Sequence, residues 1–258
     1  MEYLPLPIEL LVFLFAISIV AGLIDTLAGG GGLIVLPALI MSGVPPLQAL
    51  GTNKLQGTMG TATATLLMFK KGKLRWVQVK QMMFSAFIGA VIGTLCLQFI
   101  NAQLLSFIIP MVLLFIGAYF LVAPVASQES VEPKMSATKY RRFIVPLIGF
   151  YDGMFGPGTG SFYALAGVSL RGHGLITATA EAKPLNFSTN IASLMVFVIA
   201  GQLVWIIGIL MMVGQVIGAW LGARCLFIVK PKFIRALVVT ICFSMLIKYA
   251  HSMSWLTF

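Results

Sequence analysis

The sequence has little charge. Only 9% of its 258 residues are Asp, Glu, Lys or Arg, where a soluble domain carries about 25%. With 59% hydrophobic residues and a mean hydropathy of +1.01, the chain cannot cover a water-facing surface, which excludes a soluble globular protein. Acidic residues are scarcest, 7 against 17 Lys and Arg. In a membrane chain such a basic excess reports cytoplasmic loops, so no nucleic-acid partner is expected. The three cysteines (Cys96, Cys225, Cys242) all fall in apolar runs and read as small packing residues, not as a disulfide framework. Two scattered histidines, His173 and His251, make no metal cluster. No Gly-x4-Gly-Lys-Ser/Thr loop occurs, which argues against nucleotide hydrolysis. No cofactor, metal or enzymatic activity is expected.

What is present is a series of apolar runs, helical in length and without the alternation of barrel strands. The fold class expected is an all-α multi-pass membrane protein embedded in a lipid bilayer. The first run, 6–24, follows Met1-Glu2 without a positive n-region or a clear cleavage site, and is read as a retained span.

The chain repeats itself. Gly22-Leu-Ile-Asp25 and Gly149-Phe-Tyr-Asp152 each open a glycine-rich stretch, at an offset of 127 residues. Lys54, Gly72, Trp76, Gly89, Gly93 and Cys96 match Lys183, Gly201, Trp205, Gly218, Gly222 and Cys225, at an offset of 129. An ordered series of matches indicates duplication. The expected organisation is a first transmembrane repeat over 1–123, a cytoplasmic linker over 124–141 and a second repeat over 142–258. Each half gives five apolar segments: 6–24, 31–42, 46–69, 76–100 and 103–122, then 142–153, 158–170, 174–200, 205–228 and 233–250.

Loop charge orients the repeats. Lys70, Lys71, Lys73 and Arg75 crowd one loop, while its repeat mate at 201–204 has none. The turn near 100–103 is uncharged, while its mate region carries Arg224, Lys230, Lys232 and Arg235. This reversal predicts inverted-topology repeats with broken half-helices at the glycine motifs. Eight helices in two parallel four-helix repeats is the alternative.

Few ionisable residues lie away from the membrane edges: Asp25, Lys54, Asp152, Glu181 and Lys183. A charge at the centre of a membrane helix costs about 2.5–3.5 kcal/mol on insertion scales. Lys54 and Lys183 therefore read as two ammonium groups converging on an anion. The competing reading pairs each with the aspartate of its own repeat, Lys54 with Asp25 and Lys183 with Asp152. Gly30, Gly31 and Gly32, and Gly158, Thr159, Gly160 and Ser161, lead into short helices whose N-termini could face an anionic group. Asp25 and Asp152 are assigned a coupling or structural role. Thr52, Asn53, Gln56, Asn186, Ser188 and Asn190 could line the cavity, or could be interhelical hydrogen bonds. Trp76, Trp205 and Trp255 read as interface anchors.

The segments GLIDTLAGGGGLIVLPAL, ALGTNKLQG, GFYDGMFGPGTGSFYAL and AKPLNFSTN resemble the sulfite exporter TauE/SafE family, also called the toluene sulfonate uptake permease family. The resemblance covers nearly the whole chain. It implies a bacterial inner-membrane carrier of small anions such as sulfite, sulfonates or sulfoacetate. It also implies seven or eight helices, at odds with the inverted reading. Asp25, Gly29–Gly32, Asn53, Lys54, Asp152, Gly156–Gly160, Lys183 and Asn186 match its motifs. Pro184 departs from them and predicts a kink or break beside Lys183. The expected function is secondary transport of a small anionic substrate by alternating access, with a coupling proton or cation. Oligomerisation is left open. A passive anion channel and an intramembrane aspartyl protease built on Asp25 and Asp152 are the alternatives.

Overall fold

The computed structural model describes residues 7–122 and 129–225, with isolated positions between 236 and 247. The described residues are helical and contain no strand. The helices are α1 (Ile8–Ala28), α2 (Gly32–Met41), α3 (Pro46–Lys70), α4 (Trp76–Gln98) and α5 (Ala102–Val122), then α6 (Ala137–Lys139), α7 (Val145–Met154), α8 (Thr159–Arg171), α9 (Leu175–Ile199) and α10 (Trp205–Cys225). A π-helical turn, Tyr140–Ile144, joins α6 to α7. The expected segment at 233–250 falls almost entirely outside the described residues, as do Lys230, Lys232, Arg235, Cys242, His251 and Trp255.

Local chemistry sets the helix ends. Pro46 opens α3 at its first position, where the missing N–H costs nothing. The Asn101 side chain accepts the Leu104 N–H at 2.7 Å and caps the start of α5. Gly29 closes α1 in the left-handed conformation, φ 75°, and Gly158, at φ 79°, precedes α8. At 10 residues α2 covers about 15 Å, half of a bilayer core.

The arrangement is the reverse of a soluble protein. Four described helices are long and apolar enough to cross a membrane: α1, α4, α5 (over Ala102–Tyr119) and α10. Their outward faces carry exposed Phe84, Phe99, Phe107, Phe115 and Trp220. The two 25-residue helices α3 and α9 pack on each other at the centre, with buried Thr52, Asn53, Gln56, Asn186, Ser188 and Asn190. Polar groups inside and apolar groups outside suit a hydrocarbon solvent.

Glycine seams let helices from opposite halves approach closely. Gly214, Gly218 and Gly222 of α10 lie against Phe15, Ile19 and Leu23 of α1. Gly89 and Gly93 of α4 lie against Pro146 and Phe150 of α7, and Gly149 and Gly153 return the contact to Ala86 and Ala90. Sequence number rises together along both seams, so the paired helices run parallel. It also rises together from Gly60 beside Gln215 to Lys71, whose Nζ donates to the Ala223 carbonyl at 2.6 Å, so α3 runs parallel to α10. It runs oppositely where α3 meets α9, with Gly51 at Phe197 and Gly57 at Asn190. Met68 and Ala223, near the ends of α3 and α10, cluster with Val79 and Ala180, near the starts of α4 and α9, so α1, α3 and α10 point one way, and α4, α7 and α9 the other.

Two expectations need correction. Helix α9 is not broken at Pro184: it runs unbroken from Leu175 to Ile199, losing only the bond that residue 184 would donate to the Ala180 carbonyl. Cys96 is not a packing residue but lies exposed on α4, while Cys225 is partly buried; both are free thiols. Trp76 and Trp205 stand at the first residues of α4 and α10, 57% and 51% exposed, as interface anchors should.

Candidate functional site

Asp25 and Asp152 lie in the last turns of α1 and α7, just before each helix breaks. Each carboxylate holds its own break. Asp25 Oδ1 accepts the Gly31 N–H at 3.2 Å. Asp152 Oδ1 accepts the Thr159 hydroxyl at 2.6 Å, and Tyr151 adds a bond from its hydroxyl to the Pro157 carbonyl at 2.6 Å. The two breaks also touch each other. A Cβ on Gly160 would stand 2.7 Å from the Gly29 α-carbon, and the Ser161 hydroxyl donates to the Ala28 carbonyl. Thr159 and Ser161, both candidate anion donors, thus spend their hydroxyl protons within the protein.

The lysines reach across the repeats rather than within them. Lys54 Nζ lies 2.9 Å from Asp152 Oδ2, with both side chains 1% exposed. Lys183 Nζ donates to the Asp25 backbone carbonyl at 2.8 Å. The competing reading, which paired Lys54 with Asp25 and Lys183 with Asp152, is therefore not what these contacts show. The breaks of the two halves interlock, so each lysine meets the loop of the opposite half first. Gly156 makes room for the ion pair: its φ is 95°, and a Cβ there would stand 3.1 Å from Lys54 Nζ.

The two lysine contacts differ. Asp152 and Lys54 neutralise each other in a sealed contact. Asp25 is mostly buried, and the Lys183 ammonium rests on its backbone carbonyl, with the Asp25 carboxylate close by but forming no direct ion pair. Neither aspartate takes the other as a hydrogen-bond partner among the described residues. Their partners are an ammonium, a hydroxyl and a peptide N–H.

The amides frame the starts of the short helices. A Cβ on Gly32 would stand 3.5 Å from Asn53 Nδ2, and one on Gly160 would stand 3.4 Å from Asn186 Nδ2. Gly30 and Gly31 are buried in the first break, where their carbonyls accept the Leu33 and Ile34 N–H groups at 3.1 Å. Several of the remaining polar residues serve the scaffold. Gln56 Nε2 donates to Asn53 Oδ1 at 3.0 Å, Asn190 Nδ2 to the Asn186 carbonyl at 2.8 Å, Ser188 to the Met83 carbonyl at 2.7 Å, and Thr52 accepts the Val204 N–H at 3.1 Å. Glu181 lies outside this cluster, 2.9 Å from His173 Nδ1. No group of three metal-ligating side chains occurs among the described residues. The role of Tyr151 was not read from the sequence, because its repeat mate is Ile24 and no matched pair flags it.

Comparison with known proteins shows the family of the chain. The model of the sulfite exporter TauE/SafE family matches residues 14–249. A Haemophilus influenzae protein described as a probable membrane transporter protein is 41% identical over 251 residues, covering 97% of this chain and 98% of its own. A Sinorhizobium protein, probable membrane transporter protein ORF9, is 40% identical, covering 94% and 93%. The Escherichia coli K12 probable membrane transporter protein YfcA is 40% identical, covering 90% and 86%. No solved structure matches the chain significantly. With its family model spanning both halves and its apolar helices turned outward, this multi-pass membrane protein belongs to the sulfite exporter TauE/SafE family of membrane transporters.

Proposed function

We propose that the protein is a secondary transporter of a small anion in the bacterial inner membrane. It works by alternating access between two inverted repeats. The observation that carries this reading is the crossed contact of Lys54 with Asp152 and of Lys183 with the Asp25 carbonyl, at two broken helices that touch. Repeat-mate helices α1 and α7, and α3 and α9, run in opposite directions. That supports inverted rather than parallel repeats.

In this reading an anion is drawn to the Lys183 ammonium, which bonds a carbonyl and makes no direct ion pair. The starts of α2 and α8, with Asn53 and Asn186 beside them, supply further donors. Lys54 is held in reserve by Asp152. Rocking one repeat against the other would exchange the roles, so that Lys183 meets the Asp25 carboxylate while Lys54 is released. Protonation of whichever aspartate is released is the proposed coupling step. The burial of Lys54, Asp152, Thr159 and Lys183 to 1% exposure supports a carrier with a sealed state over an open channel. Sulfur-containing oxyanions (sulfite, sulfonates, sulfoacetate) are the proposed substrates, on the family's description.

The test is thermal stabilisation of the purified protein by sulfite, sulfoacetate and a panel of other small anions. Stabilisation of the wild type that disappears in Lys183→Ala supports the site. Equal stabilisation in Lys54→Ala and Lys183→Ala would reject a lysine-based anion site.

A further inference from the structure

The described basic residues are sorted by position. Apart from Lys54 and Lys183, all of them lie at one end of the molecule. This end holds the last turns of α3, α8 and α10, the first turns of α4, and the turn before α7. Lys71 bonds the Ala223 carbonyl there, and Arg171 bonds the Met135 carbonyl. A cavity of about 360 Å³ opens at this end between α4 and the π-helical turn, lined by Lys80, Gln81, Phe84, Ser85 and Arg141.

The sequence builds this cavity deliberately. Pro146 has no N–H for the Arg142 carbonyl, so an ordinary helical turn cannot close there. The chain widens instead, and the Val145 N–H bonds the Tyr140 carbonyl five residues back. On this widened turn Arg141 lies against α4 and bonds Gln81. Lys80 stands one turn inside Trp76, the interface anchor of α4. No carboxylate pairs with Lys80 or Arg141 among the described residues. Phe84 in the cavity lining is 67% exposed, and Phe143 on the same widened turn and Leu147 at the start of α7 are 66% and 64% exposed. Duplication supplies an internal comparison: the positions matching Lys80, Ser85 and Arg141 in the other half are Ile209, Gly214 and Leu14. The fold therefore does not require this constellation.

We propose that the cavity binds the phosphate headgroup of an anionic phospholipid. Lys80 and Arg141 meet the phosphate, Ser85 and Gln81 supply hydrogen bonds, and the acyl chains run along Phe84, Phe143 and Leu147. Two unpaired cations at the membrane edge with exposed apolar side chains nearby match a lipid anion, and a soluble anion would leave those side chains unused. The site is independent of the transported anion and of the crossed lysines.

The test is native mass spectrometry of the detergent-purified protein with dioleoyl phosphatidylglycerol, alongside dioleoyl phosphatidylcholine. The wild type should retain phosphatidylglycerol and not phosphatidylcholine. The Lys80→Gln/Arg141→Gln variant should lose it by roughly thirtyfold in affinity, as removal of two cations from an anionic surface predicts. Lys139→Gln/Arg142→Gln, which removes two cations outside the cavity, should retain it, and unchanged melting temperatures verify that both variants fold. Equal loss in the two variants would overturn the site in favour of diffuse charge attraction. Displacement of the lipid by millimolar inorganic phosphate would overturn the lipid as occupant in favour of a soluble anion.

Discussion

Lys54 of α3 and Asp152 of α7 form a buried ion pair, 2.9 Å from Nζ to Oδ2, that ties the first half of the chain to the second. Its counterpart is unequal. Lys183 reaches the backbone of Asp25 but not, as an ion pair, its carboxylate. The two contacts thus differ: Lys54 makes a direct ion pair, while Lys183 rests on a backbone carbonyl with the Asp25 carboxylate close by but not in a direct ion pair. The alternating access proposed above would use such a difference, because a symmetric centre would face both sides of the membrane alike.

Removing one partner of the pair strands the other charge in a water-poor interior. Lys54→Ala or Asp152→Ala should each destabilise the protein by about 3–5 kcal/mol. The combined Lys54→Met/Asp152→Leu variant should recover most of that loss in a thermal unfolding assay, yet transport nothing. Recovery of transport in the double variant would show that the pair is only a structural tie.

Lys183→Ala should be milder. It removes one hydrogen bond from a charged donor to a neutral carbonyl, worth about 1.5–3 kcal/mol. Its effect on anion stabilisation should nevertheless be complete, which separates function from folding. Comparing melting temperatures with and without sulfite checks both halves of this statement.

Gly29 is held by backbone on all sides. Its φ of 75° is left-handed, and a Cβ would fall on the backbone of Gly160 and Ser161. Gly43 shares the left-handed conformation, φ 83°, but has nothing within 4 Å of a Cβ. Gly43→Ala should therefore cost only the backbone strain, roughly 1–2 kcal/mol. Gly29→Ala should cost more and abolish transport by separating the two breaks. Melting temperatures and flux of the two variants measure the difference.

Topology can be tested through repeat mates. Lys73 and Gln202 occupy matched turns, after α3 and after α9. In a background lacking Cys96, Cys225 and Cys242, Lys73→Cys and Gln202→Cys should react with a membrane-impermeant maleimide from opposite sides. In intact cells only Gln202→Cys should label, since Lys73 lies at the basic end. Labelling of both from one side would establish parallel repeats.

Much of the fold was legible because hydrocarbon imposes simple rules. Apolar runs at 31–42, 46–69 and 76–100 became α2 (Gly32–Met41), α3 (Pro46–Lys70) and α4 (Trp76–Gln98). The glycine motifs marked real helix breaks because left-handed φ values at Gly29 and Gly158 are cheap only for glycine. Pro184 does not break its helix, since a proline inside a packed helix forfeits one hydrogen bond without ending it. The partners of Lys54 and Lys183 were not legible, since proximity along the chain favoured aspartates of the same half.

The sequence alone determined the membrane setting, the helix breaks and the set of buried charges. Each follows from composition, periodicity or residue type at one place in the chain. Only the tertiary structure decided which charges meet. The glycine seams pack α1 on α10 and α7 on α4, each helix against the opposite half, and so interlock the two breaks. That interlocking brings Lys54 to Asp152 across 98 residues of chain, and Lys183 to Asp25 across 158. Pairing over such separations is set by helix packing in three dimensions, which no local pattern records.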